Sequence, residues 1–230
     1  MYTPGVVFGL GMAVRGLTRP GDSVLIQRPV YYPFSNIITE NNRNLINNPL
    51  IYDKEKGTYR MDFSDFEEKI IENHVKLFIL CNPHNPVGRV WKREELEAIG
   101  DICLKHGVKV VSDEIHEDFV YEDHKHIPFI KVKPEYEGIT VMCTSPSKTF
   151  NLAGLQISNL IIPDRDIRTA IKREIGKTGY DEPNIMGMTA CQAAYTYGEE
   201  WLEELKDYLV GNLNFIREYL RDNLPKVKLV

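Results

Sequence analysis

The sequence predicts an α/β fold, with a mostly parallel sheet buried between helices. Three observations carry this expectation. Short apolar runs alternate with helical patterns along the first 160 or so residues. The runs, such as Val75–Cys81 and Thr140–Cys143, are almost continuously apolar, as strands covered on both faces must be. The chemically interesting residues follow the runs directly, at the strand ends where parallel sheets collect their ligands.

Taken in order, Val6–Gly16 is rich in glycine and alanine and reads as a helix behind a Pro-Gly turn. A strand is expected at Ser23–Gln27 and a helix at Tyr32–Glu40, behind a proline turn. Arg43–Leu50 reads as a strand. Asp62–Asn73 opens on Asp-Phe-Ser-Asp and places Phe63, Phe66, Ile70 and Ile71 at helical spacing. Val75–Cys81 is the next strand. Lys92–His106 carries Leu96, Ile99, Ile102 and Cys103 on one face, with Gly107 placed to cap it. Strands follow at Val108–Ser112, Thr140–Cys143 and Ser158–Ile162. Beyond Pro163 the pattern turns helical: Asp164–Lys177, then the Met- and Ala-rich Glu182–Gly198, then a long amphipathic stretch, Glu199–Asn223. Lys226–Val230 alternates like the start of a strand. Both ends of the chain break abruptly into patterned sequence, which suggests a piece of a longer protein.

Composition excludes several classes. A net charge of −5, with charges of both signs mixed throughout, gives no basic patch for nucleic acid. No apolar run approaches membrane-spanning length, and no signal peptide opens the chain. The four cysteines, Cys81, Cys103, Cys143 and Cys191, are widely spaced and read as reduced, buried thiols of a cytoplasmic protein. His124 and His126 lack a carboxylate at ligand spacing, so no metal site is expected.

Five patches fall at strand ends or helix starts. Thr3-Pro4-Gly5-Val6-Val7 opens a helix, whose free amides can bind phosphate, although most such turns are only turns. Tyr31 and Tyr32 follow a strand and can stack on a ring or simply pack. Cys81–Arg89 contains two Asn-Pro steps, which stiffen a loop able to present Asn85 to a ligand or to lead into a helix. Asp113 lies just past a β-branched run, where its charge needs either a cation or a role capping the next turn. Lys148 follows another buried run, flanked by Ser145, Ser147 and Thr149. A surface lysine in a hydroxyl-rich loop is the simpler account of those residues alone. A lysine that attacks a carbonyl beside hydroxyls that hold a phosphate, as pyridoxal phosphate requires, is the sharper one.

The order and spacing of Asn85, Asp113 and Lys148, with the Ser145-x-Ser147-Lys148 string, resemble the fold-type I pyridoxal-phosphate enzymes, the superfamily of class I and II aminotransferases. The wording of five strings is similar to one branch, the MalY/PatB cystathionine β-lyases, or C–S lyases. These are Thr-Pro-Gly-Val-Val, Pro-Val-Tyr-Tyr-Pro-Phe, Cys-Asn-Pro-His-Asn-Pro-Val-Gly-Arg, Ser-Asp-Glu-Ile-His and Ser-Lys-Thr-Phe-Asn. His116 stands where many aminotransferases have tyrosine, and Gln156 where aspartate aminotransferase has a phosphate-binding arginine.

The resemblance implies a pyridoxal-phosphate transferase-like large domain over residues 1–198, with a seven-stranded-type sheet. Residues 199–230 would be a long helix leading into a small domain that is largely missing. It implies pyridoxal 5′-phosphate bound covalently by Lys148. Asp113 would hold the ring nitrogen, Asn85 and His116 would lie near O3′, and Tyr31 would stack on the ring. Val6, Val7, Ser145 and Ser147 would hold the phosphate. Lys148 and, more loosely, Tyr32 would serve the proton transfers. The implied substrate is a small amino acid. The implied reaction is β-elimination from cystathionine or other cysteine S-conjugates, with transamination or a catalytically weak cofactor-binding fragment as the alternatives. The implied assembly is a homodimer, with no nucleic-acid or membrane partner.

Overall fold

The computed structural model describes residues 1–121 and 124–230. Seven strands form one sheet, in the order β1 (Tyr2–Thr3), β9 (Ser158–Ile161), β8 (Thr140–Thr144), β7 (Lys109–Asp113), β6 (Leu77–Cys81), β2 (Ser23–Ile26), β3 (Asn44–Asn47). The five from β8 to β3 are mutually parallel. β9 runs antiparallel to β8, and β1 antiparallel to β9. A separate two-stranded hairpin pairs β4 (Ile51–Asp53) with β5 (Thr58–Arg60).

The central strands are buried on both faces, which explains their unbroken apolar sequence. Alternate side chains enter opposite cores. Leu77, Ile79 and Cys81 join the cluster under α1 (Val6–Leu17), α2 (Pro33–Glu40) and α6 (Arg165–Gly176). Phe78 and Leu80 join the cluster under α3 (Phe63–Glu72) and α4 (Arg93–His106), which holds Phe66, Trp91, Phe129 and Tyr136.

The helix boundaries follow local chemistry. Asp62 Oδ1 accepts the Asp65 amide at 3.1 Å to start α3, and Asp164 Oδ1 accepts the Ile167 amide at 2.8 Å to start α6. Gly107 ends α4 in the left-handed conformation, φ 67°, where its N–H reaches the last carbonyls. After β8, the short α5 (Pro146–Thr149) opens on Ser145, and α7 (Ile185–Tyr197) opens on Asn184.

Three expectations are corrected. The strand expected over 43–50 is confined to Asn44–Asn47; beyond it Leu50 is buried outside any strand and Ile51 opens the hairpin. The N-terminal strand β1 was not foreseen, because two residues carry no readable period. Residues 226–230 form no strand: they pair with none of the described strands, and Val227, Leu229 and Val230 stay exposed. The long helix α8 (Glu199–Asn223) forms as its pattern predicts, but none of its residues is buried.

Candidate active site

Strand register gathers the predicted residues at one edge of the sheet. Asp113, the last residue of β7, is flanked by Cys81 on β6 and Cys143 on β8. The segment carrying Asn85 therefore leaves β6 beside it on one side, and the Ser145–Lys148 segment leaves β8 on the other. β2 lies next to β6 and delivers Tyr31 to the same end. β1 runs alongside β9, so Thr3 pairs with Ser158, their hydroxyls 2.6 Å apart, and α1 starts at this end too.

Asp113 is the electrostatic centre. It is 4% exposed, and its carboxylate accepts one hydrogen bond, from the Ile115 amide at 3.2 Å. Desolvation is the main cause that pushes its carboxyl up to about 7, with the Glu114 charge adding to it. The turn-capping alternative is thus partly true, since one oxygen closes a turn at Ile115. Among the described residues it leaves the charge itself uncompensated. The residue beside it shows what compensation looks like. Glu114 is fully buried and bonds Ser112 Oγ at 2.7 Å, His126 Nε2 at 2.7 Å and the Phe129 amide at 3.0 Å.

The other residues arrange around Asp113. Tyr31 is half-buried and edge-on to Phe34 at 6.2 Å. Desolvation raises its hydroxyl above the usual range, and the charge of Asp113 adds to this, so the two groups are within electrostatic reach. Lys148 lies within α5 and is exposed, with no hydrogen-bond or ion-pair partner among the described residues. It sits one helical turn past the buried strand rather than at its end. His116 is half-buried, and burial followed by the charge of Lys148 holds its imidazole below its usual range, so these two are also neighbours. Asn85 and His116 both line a cavity of ≈ 910 Å³, together with Phe119 and Tyr121.

Phosphate-type chemistry is available at two helix starts. Gly5 takes φ 138° before α1, and no side chain caps that helix, so its first amides are free to meet an anion. Val6 is buried, whereas Val7 is exposed. Ser147 follows Ser145 on α5. The Ser145 hydroxyl is already engaged, donating to Ile157 O at 2.7 Å and accepting the Ser147 amide at 3.1 Å. Tyr32 is 73% exposed, with its ring 5.6 Å from that of Tyr31.

Residue-by-residue reading missed several members of the frame. Thr149 Oγ1 donates to Asp118 Oδ2 at 2.7 Å, tying α5 to the turn after β7. His84 bridges two loops. His126, read as a metal-free histidine, pairs with Glu114. One ligand-type atom from each of Glu114, Glu117 and His126 lies within 4.8 Å of the others. Only the long-range fold creates these contacts.

The family model for aminotransferase class I and II matches residues 1–228 of the chain. The chain belongs to that family. Among its relatives, cystathionine beta-lyase PatB of Bacillus subtilis is 47% identical over 229 residues, which is 100% of this chain and 59% of that protein. Protein MalY of Escherichia coli is 33% identical over 99% of this chain and 57% of that protein. Cystalysin from Treponema denticola, solved with pyridoxal 5′-phosphate, superposes with TM-score 0.96 at 36% identity, covering 99% of this chain and 57% of that one. The pyridoxal-phosphate-bound C–S lyase of Staphylococcus hominis gives TM-score 0.91 at 37% identity, over 98% of this chain and 56% of that one. The chain therefore spans less than three-fifths of the length of these relatives. The family's mostly parallel sheet between helices is the architecture found here.

Proposed function

We propose that this chain forms the cofactor-binding large domain, residues 1–198 with α8 leading onward, of a pyridoxal-phosphate-dependent carbon–sulfur lyase. The reading is supported above all by Asp113, a buried carboxylate at the end of the central strand with a single neutral partner among the described residues. A protonated ring nitrogen is the cation its position calls for. Asn85 would meet O3′, with His116 beside it, and Tyr31 the ring face. The amides of Val6 and Val7, with Ser147 and the α5 start at Ser145, would meet the phosphate. Lys148 would hold the cofactor covalently.

Bound pyridoxal phosphate supplies an electron sink, which weakens bonds at the substrate's Cα. The chain's own groups do the rest. Asp113 would keep the ring nitrogen protonated, because loss of that proton would strand a carboxylate charge in a desolvated site. Lys148 Nζ, once an amino-acid substrate has entered, would take the Cα proton. Departure of the Cβ thiolate completes β-elimination, and hydrolysis of the released enamine gives pyruvate and ammonia. Tyr32, which is exposed, would give the thiolate its proton. The absence of an arginine at Gln156 shifts the phosphate's hold to helix amides and hydroxyls, the arrangement implied by the lyase resemblance. We also propose that the assembled enzyme is a cytoplasmic homodimer.

The test is incubation with pyridoxal phosphate and cystathionine. Pyruvate and homocysteine formed without any keto-acid acceptor support the lyase reading, and strict dependence on an acceptor makes it a transaminase. Lys148→Ala should remove the visible absorbance of lysine-bound cofactor, and a mutant that keeps it removes Lys148 from this role.

A further inference from the structure

His84 takes no part in the proposed chemistry, yet it is built into the frame of the site. It is 2% exposed. Its ring Nε2 lies 2.9 Å from the Pro29 carbonyl oxygen. A carbonyl oxygen only accepts, so Nε2 carries the hydrogen. Nδ1 is then a bare acceptor, buried and without a hydrogen-bond partner among the described residues. The ring stands edge-on to Trp91 at 5.4 Å, and Trp91 Nε1 donates to Cys81 O at 3.0 Å. The His84 amide donates to Arg89 O at 2.7 Å, and the Gly88 amide to His84 O at 2.9 Å. Cys81 Sγ lies 3.4 Å from both Pro83 O and the Asn85 amide.

The segment immediately before Asn85 is therefore fixed by its backbone, its ring face and its ring edge. Pro29, at the far end of the imidazole bond, lies two residues before Tyr31. The bond joins the loops leaving β6 and β2, neighbours in the sheet. Packing alone does not select histidine here. An apolar side chain would fill the same space without leaving a buried nitrogen unpaired, which is unfavourable. Burial also drives the imidazole down to about 4, so it stays neutral and serves as a donor rather than a charge.

We propose that His84 is a positioning residue that sets the distance between Asn85 and Tyr31, and through them the seat of the pyridoxal ring between its O3′ edge and its face. This rests on the cofactor reading given above. The test is a titration of the chain with pyridoxal phosphate, following the absorbance of the bound cofactor across pH. It compares wild type, His84→Gln, His84→Leu, Asn85→Ala and the His84→Leu/Asn85→Ala pair. Glutamine keeps an N–H donor at similar reach, whereas leucine keeps only bulk. His84→Leu should weaken cofactor affinity about 3- to 10-fold, the worth of one neutral hydrogen bond, while His84→Gln stays within about 2-fold of wild type. His84→Leu should move the pH midpoint of the absorbance in the same direction as Asn85→Ala. The double variant should lose less than the product of the single losses, because leucine has already loosened Asn85. Wild-type affinity in His84→Leu, equal losses in the leucine and glutamine variants, or strictly multiplicative losses each overturn the role. A wild-type chain that takes up no cofactor overturns the cofactor reading, and this role with it.

Discussion

The strand-end site and the C-terminal helix are mismatched to their surroundings in opposite senses. At the strand ends, polar groups are buried beyond their local partners: Asp113 with one backbone bond, and His84 Nδ1 and Asn82 Oδ1 with none among the described residues. Along α8, apolar groups are exposed beyond what a solvated helix needs, with Tyr208, Phe215 and Tyr219 each more than half exposed. The difference lies in what each mismatch specifies. An exposed apolar face accepts any apolar cover and so names no partner. A buried carboxylate at a strand end calls for a cation at one place, and so names a chemistry. The site therefore carries a functional reading that the larger surface of α8 does not.

Substitutions can break or sharpen this contrast. The largest effect belongs to the sheet that carries the site. Phe78 is fully buried and edge-on to Phe66 at 4.9 Å, so Phe78→Ala should cost about 3–5 kcal/mol in urea unfolding. A loss under about 1 kcal/mol would mean that the sheet is as loosely held as α8.

The next effect is pH-dependent. In the native state His84 titrates at about 4, below its ordinary 6.5, so the unfolded chain binds more protons between those values. Its contribution should be intact above pH 6.5 and drain away as pH falls toward 4, by about 3 kcal/mol in all. The check is the stability difference between wild type and His84→Gln across that range. A difference that does not vary with pH would place the imidazole in water.

Asp113 carries the opposite sign. Its native carboxyl titrates near 7 rather than 3.8, so stability is greatest below pH 3.8 and is lost as pH rises through 7. Asp113→Asn should therefore stabilise the cofactor-free chain at pH 8, by about 4 kcal/mol, and have little effect at pH 4. The same substitution should weaken cofactor binding. Stability gained and binding lost in one variant is the mark of a group kept for function. A variant destabilised at pH 8 would show that the carboxylate has partners in the fold itself.

The smallest effect is on α8. Phe215 is 67% exposed, so Phe215→Ala should change stability by less than about 0.5 kcal/mol. A larger loss in the same melts would show that the helix is covered in solution, and the contrast with the sheet would narrow.

Much of this was legible residue by residue. Asp62 before Phe63 announces α3, Gly107 announces the end of α4, and the unbroken apolar runs announce strands covered on both sides. Asn85, Asp113 and Lys148 could be singled out because each is an awkward residue at the end of a regular element. The two-residue β1 was not legible, nor was the small hairpin, because neither is long enough to show a period. The alternation at 226–230 misled, because a strand needs a neighbour that local sequence cannot supply.

The sequence by itself determined which residues face the two cores, where helices start and stop, and which side chains carry chemistry, since these follow from period, capping and residue type over a few neighbours. Only the tertiary structure decided that Asp113 has no compensating charge among the described residues while Glu114 has three partners, and that an imidazole spans the loops of two strands. Register aligns residues that are distant in the chain, and burial strips them of water. No local pattern encodes either one.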